Sequence, residues 1–218
     1  MTEQPAPAEK PRSKLATYGV LGAAVIVAIA VGVYLVTSGG DSKSTTSSGD
    51  GTDTVQSIYP NTGPLEPARP KIGEKAPDFA LADARDTTKV RKLSDFKGKA
   101  VVVNWFASWC GPCKEEIPEF EQAQQTLGDQ IVFLGVDYQE SPESATGILD
   151  EFKATYPAVL DDAGKVAEHY RVGQGGGGLP TTFFVDKDGI LRGQVTGRVT
   201  KEKLEENLAA VGLSYKAP

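Results

Sequence analysis

Ala100-Val101-Val102-Val103-Asn104-Trp105-Phe106-Ala107-Ser108-Trp109-Cys110-Gly111-Pro112-Cys113-Lys114-Glu115-Glu116-Ile117-Pro118 is the stretch that decides the fold. Its first seven residues are almost continuously apolar, β-branched or aromatic, the pattern of a central strand buried on both faces. After a turn of three residues come Cys110 and Cys113, the only cysteines of the chain. Beyond them Ile117, Phe120, Ala123 and Leu127 recur at helical spacing, acids crowd the first turns, and Gly128 ends the segment. A strand therefore delivers a Cys-x-x-Cys pair onto the start of a helix. There, unpaired backbone N–H groups and the positive end of the helix dipole favour a thiolate. Pro118 falls inside the helix and is expected to kink it.

The pair has three readings. A structural disulfide closing so short a loop gains little from restricting the unfolded chain. A zinc site would need carboxylates, since two thiols and the single histidine, His169, do not fill four positions. The third reading, a redox-active dithiol, matches a strand before, a helix after and an exported domain. In that reading Cys110, exposed at the helix start, attacks a partner disulfide. Cys113, one turn inside, resolves the mixed disulfide. Exchange of this kind needs thiolate and access, not a histidine base, a cofactor or a metal.

Composition narrows the partners. A net charge of −6 with no basic cluster speaks against nucleic acid. Residues 1–14 are polar and carry Lys10, Arg12 and Lys14. Residues 15–36 are uncharged and apolar, and as a helix would reach roughly 33 Å, enough for a bilayer core. Tyr18 and Tyr34 lie near its two ends, where amphipathic rings suit the interface. The basic flank precedes the span, which predicts a single-pass anchor with a cytoplasmic N-terminus and an extracytoplasmic remainder. Cleavage after Ala28-Ile29-Ala30 is the alternative, but the apolar run continues to Val36. Residues 37–70 begin as a Gly/Ser/Thr/Asp stretch and become proline-rich, a tether that stiffens towards a domain spanning residues 71–218.

Within that domain Ala76–Leu81 reads as a first strand, and a turn near Arg85-Asp86 makes it a hairpin with a segment ending at Leu93–Phe96. Ile131–Asp137 is a second buried strand. Ser141-Pro142 caps a helix whose apolar face is Ile148, Leu149 and Phe152. Ala158–Leu160 is a short extended segment, followed by a helix over about Ala163–Tyr170. Thr181–Val185 and Ile190–Val195 form a hairpin across Asp186–Gly189, and Thr200 caps a last helix carrying Leu204, Leu208 and Val211. The order predicts an α/β fold with a mixed central sheet flanked by helices.

Trp109–Lys114, with Pro118 five residues after the second cysteine, resembles thioredoxin, and Leu179-Pro180-Thr181 looks like that family's cis-proline loop. The predicted N-terminal transmembrane helix, the Ala76–Phe79 opening, Cys113-Lys114-Glu115-Glu116-Ile117-Pro118 and the extra helix near Pro142 narrow the likeness. Together they resemble the membrane-anchored TlpA/ResA/DsbE-like branch over about residues 71–212. The resemblance implies a thioredoxin-like fold and thiol:disulfide exchange with protein clients, apocytochrome c among those of the branch. It also implies recharging by a membrane electron donor. Leu179, Pro180 and Thr181 would then bind the client beside the cysteines, and Pro180 is expected to be cis. The Gly-Pro dipeptide leans towards a reducing potential, on a scale from about −270 mV for thioredoxin to about −120 mV for DsbA.

The chain departs from thioredoxin at Asn104, where thioredoxins carry a buried aspartate that helps deprotonate the second cysteine. Glu116, three residues after Cys113, matches an acid that ResA-like members place near the cysteines. As residues alone it reads equally as a solvated first-turn carboxylate favoured by the dipole. Trp109 is either a cover over the disulfide or surface packing. The glycine run from Gly175 lacks the Lys-Ser/Thr of a phosphate loop and reads as an insertion beside the proline loop. His169 reads as structural, near a helix end. Three rivals stay open beside the reductant. An oxidant on the same fold differs only in direction. A peroxidase would want Pro-x-x-x-Thr/Ser-x-x-Cys, and Val103–Cys110 has no proline. A copper-assembly protein would want wider cysteine spacing and a histidine.

Overall fold

The computed structural model describes residues 57–66, 69–173 and 178–218. Its strands are β1 (Gly63–Pro64), β2 (Phe79–Asp83), β3 (Val90–Lys92), β4 (Ala100–Phe106), β5 (Ile131–Tyr138), β6 (Ala158–Asp161), β7 (Thr181–Val185) and β8 (Leu191–Thr196). The helices are α1 (Gly111–Leu127), α2 (Pro142–Glu151), α3 (Lys165–Tyr170) and α4 (Lys201–Ala210). One sheet runs β1-β2-β6-β5-β4-β7-β8, with β3 added on β2. β4, β5 and β6 are parallel, and β7, β8 and β2 join antiparallel, so the sheet is mixed as expected.

β4 sits at the centre because every one of its residues is buried. Its alternation divides the core between two faces. Val102 and Phe106 point to one cluster, with Cys113, Ile117 and Phe120 of α1, Ile148 and Leu149 of α2, and Leu204 and Leu208 of α4. Val101, Val103 and Trp105 point to the other, with Phe79, Phe183 and Val166, Ala167 and Tyr170 of α3. Trp105 packs on Tyr170 and Phe183 at ring-centroid distances of 4.9 and 5.6 Å. Asn104 follows the same alternation and falls on the face that carries α1.

The helix caps follow the sequence. Ser141 Oγ accepts from the Ser144 N–H and Thr200 Oγ1 from the Lys203 N–H, and Pro142 occupies the first position of α2. α1 runs through the exposed Pro118 as one helix and ends at Gly128.

Three differences in boundary bear on the fold. β2 begins at Phe79 rather than Ala76 and ends on Asp83. That acid is buried because its carboxylate accepts from the Arg85 and Asp86 N–H groups and pairs with Arg91. α3 begins at Lys165 rather than Ala163. The third concerns residues 57–66, which the sequence reads as tether. Ser57 Oγ and the Ile58 N–H donate to Asp162 at 2.7 and 2.8 Å, and Gly63–Pro64 pairs with β2. The chain thus joins the sheet before Lys71. Among the described residues no helix is long and apolar enough to cross a membrane. The predicted segments 1–14 and 15–36, and residues 174–177 with most of the glycine run, lie outside them.

Candidate functional site

β4 ends at Phe106, a turn closes with the Cys110 N–H on the Ala107 carbonyl, and α1 begins at once. Cys110 is the N-cap of α1, and its Sγ accepts from the Cys113 N–H at 3.3 Å. The two cysteines form a disulfide, with their Cα atoms 5.3 Å apart. The expectation of an exposed Cys110 needs correction. It is 5% exposed and Cys113 wholly buried, because both belong to the apolar cluster under α1. Trp109 is the exposed neighbour, at 68%.

The solvated reading of Glu116 is overturned. The buried stripe of α1 runs Cys113, Glu116, Ile117, Phe120, Ala123 and Leu127, and Glu116 occupies a core position in it with no exposed surface. Two donors hold its carboxylate: Asn104 Nδ2 at 2.6 Å on Oε1 and the Val199 N–H at 3.0 Å on Oε2. Burial pushes its pKa up to about 7, against the lowering effect of these two bonds and of the Arg198 charge. Arg198 itself bridges Glu115 at 2.6 Å and Glu119 at 3.2 Å, which ties the Gly197–Thr200 loop to the first turns of α1.

Asn104 explains its own departure from thioredoxin. It sits opposite Thr182 in the β4–β7 register and donates to Thr182 Oγ1 at 3.0 Å as well as to Glu116. An aspartate there would put two buried carboxylates in contact. In this chain the buried acid is on the helix, and the amide on the strand is its donor. Cys113 and Glu116 are three residues apart on one helix face, so the acid stands beside the inner cysteine.

Leu179–Pro180 is a cis peptide bond. Leu179 is partly buried and packs on the cluster that contains both cysteines. Pro180 and Thr181 are anchored within the domain. The Pro180 carbonyl accepts from the Gly197 N–H, Thr181 Oγ1 donates to the Gly178 carbonyl, and Thr181 is 2% exposed between β4 and β8. The Pro180 carbonyl and the Thr181 hydroxyl are thus engaged within the domain, while the apolar Trp109 and Pro112 beside the pair are exposed and Leu179 is partly so. Among the described residues no cluster of metal-ligating side chains occurs. The sequence left Thr182, Val199 and Arg198 unassigned. They reach Glu116 and its neighbours only through the fold, and nothing in their local spacing marks them.

A model of the AhpC/TSA family matches residues 72–194. The chain is 35% identical over 141 residues to the thiol-disulfide oxidoreductase ResA of Geobacillus kaustophilus, covering 64% of this chain and 78% of that one. It is 30% identical over 139 residues to the thioredoxin-like protein YneN of Bacillus subtilis, covering 62% and 78%. Among solved structures, a Chlorobium tepidum protein described as a DsbE-type thiol:disulfide interchange protein superimposes with a TM-score of 0.58 at 33% identity. That match covers 66% of this chain and 99% of the other.

Proposed function

Because this chain belongs to the AhpC/TSA family and, within it, to the ResA-like thiol-disulfide oxidoreductases, we propose that it works as a reductant of protein disulfides on the outer side of a membrane. One observation carries the reading of the chemistry: a Cys110–Cys113 pair on a helix start, with the buried Glu116 on the same helix face beside Cys113.

The cycle balances on these residues. In the dithiol form the Cys110 thiolate attacks one sulfur of a client disulfide, forming a mixed disulfide and expelling the client's other sulfur as thiolate. Glu116, with its pKa raised to about 7, takes the proton from the Cys113 thiol. The Cys113 thiolate then attacks Cys110 Sγ, and the client leaves with both sulfurs reduced. The protein ends as the disulfide, two electrons poorer, and an external dithiol donor restores it. Leu179 and Trp109 supply apolar contacts to the client.

Location rests on residues 15–36, read as an uncharged anchor behind a basic flank. An anchored, outward-facing reductant suits clients such as apocytochrome c, whose cysteines must be reduced before haem attachment, and a membrane electron donor would recharge it. Equilibration with glutathione tests the direction. A midpoint at or below about −220 mV supports the reductant, and one near the DsbA value of about −120 mV overturns it. Protease added to intact spheroplasts should remove the domain; full protection would contradict the outward orientation.

A further inference from the structure

Two carboxyl groups lie beside the active-site turn, the buried Asp137 and the half-buried Glu140. Asp137 is the residue of β5 in register with Phe106, the last residue of β4. It has no exposed surface. Its Oδ2 accepts from the Glu140 N–H at 3.1 Å, while its Oδ1 is buried with no hydrogen-bond partner. Glu140, half-buried, reaches the active-site turn: Oε2 accepts from the Ser108 N–H at 2.5 Å and Oε1 from the Ser108 hydroxyl at 2.6 Å. Ser108 lies two residues before Cys110.

The segment that carries Glu140 is held firmly. Gln139 adopts a left-handed backbone with φ of 59°, an uncommon state for a non-glycine residue. Its N–H donates to the Asp161 carbonyl at 3.2 Å, and its side chain lies against Gly164, where an added Cβ would meet Nε2 at 2.9 Å. A wandering loop needs none of this.

We propose that Asp137 is a positioning residue for the exchange reaction: it carries a proton on Oδ1, shares it with Glu140, and thereby keeps Glu140 latched on Ser108. The inference rests on the exchange reading given above. A bare carboxylate oxygen at Oδ1 would be buried with no donor, which is costly. A protonated Asp137 carboxyl can instead donate, and the Glu140 side chain stands within its reach as acceptor. The charged groups bearing on Asp137 are both acids, Glu140 on its own turn and Asp161 at the end of β6. β4 contributes Phe106 at this point and the turn after it Ser108, and neither carries a charge. Burial first, and the negative Glu140 next, push the Asp137 pKa up to about 8. Above that pH the proton leaves and Glu140 faces a second negative charge at close range. Being half-exposed, it turns to water, so the Ser108 N–H and hydroxyl lose their acceptor and the turn before Cys110 loosens.

The test is a pH titration of the full domain followed by NMR, reading the Ser108 amide proton and the Asp137 carboxyl carbon together. The latch predicts that both move with one midpoint near that of Asp137. The Ser108 amide should leave its carboxylate-bonded, downfield position as pH rises. In Asp137→Asn the amide should stay latched and flat with pH, because the amide side chain donates to Glu140 permanently. In Glu140→Gln, a partly exposed site that tolerates substitution if Asp137→Asn misfolds, the downfield position should be lost at every pH. Exchange at Cys110 with a small disulfide, corrected for thiolate fraction, should show an inflection in the wild type that Asp137→Asn abolishes. A Ser108 amide that does not move while Asp137 titrates, or an Asp137 that titrates as an ordinary carboxylate, overturns the latch. Either outcome is readable whether or not exchange occurs, so it is separable from failure of the exchange reading.

Discussion

Asn104 Nδ2 donates to Glu116 Oε1 at 2.6 Å, and this bond joins the centre of the sheet to the helix that carries both cysteines. It gives a buried carboxyl a neutral partner, so the acid keeps a pKa of about 7, where it can take and return a proton at physiological pH.

Stability should therefore depend on pH through Glu116. Its folded pKa lies above the usual carboxylate value, so the folded state binds the proton more tightly than the unfolded one. Its contribution is most favourable below the unfolded pKa of 4.5 and is lost as pH rises through about 7. The shift corresponds to a loss on the order of 3 kcal/mol across that window. Glu116→Gln should flatten the profile in urea melts at a series of pH values. An unchanged slope in the variant would assign the pH dependence to other groups.

Asn104→Asp restores the thioredoxin-like acid but places it against Glu116. Two carboxylates in contact cannot both ionise cheaply. The variant should lose about 3 kcal/mol at pH values above neutrality and recover much of it in acid. Equal stability of variant and wild type at alkaline pH would mean that Glu116 is not ionised there.

Gly135 lies opposite Asn104 in the β4–β5 register, and a Cβ added to it would sit 2.8 Å from Phe106 Cε1. Phe106 is 1% exposed and closes the strand before the active-site turn. Gly135→Ala should cost about 1–3 kcal/mol by overpacking, measured by thermal or denaturant unfolding. A neutral result would show that the ring moves freely.

Trp109→Ala removes an exposed ring, so stability should change by no more than about 0.5 kcal/mol. Reduction of a folded protein disulfide should slow, while exchange with a small disulfide should stay as in the wild type. If both substrates slow equally, the ring acts on the cysteines and not on the client.

Strand β4, the cysteine turn, α1 with its glycine end and the capped α2 and α4 were legible because their signals are local: continuous apolar runs, helical spacing, cap residues. The docking of Ser57–Pro64 was not, since it depends on Asp162 and β2, far along the chain. Glu116 is the instructive case. Its spacing from Cys113 and Phe120 already placed it in the buried stripe, but a charge in a first turn reads as solvated until its donors are known. Those donors, Asn104 and the Val199 N–H, come from a strand before the helix and a loop long after it. The Asp137–Glu140–Ser108 contacts were hidden for the same reason.

The most direct test of the exchange chemistry is Cys113→Ser in cells, with mixed disulfides trapped on Cys110 and their partners identified. Cys110 as nucleophile and Cys113 as resolver predict stable adducts with exported, cysteine-containing proteins in Cys113→Ser and none in Cys110→Ser. A well-expressed Cys113→Ser protein that traps nothing, or adducts that form equally through Cys113 when Cys110 is absent, would contradict the account.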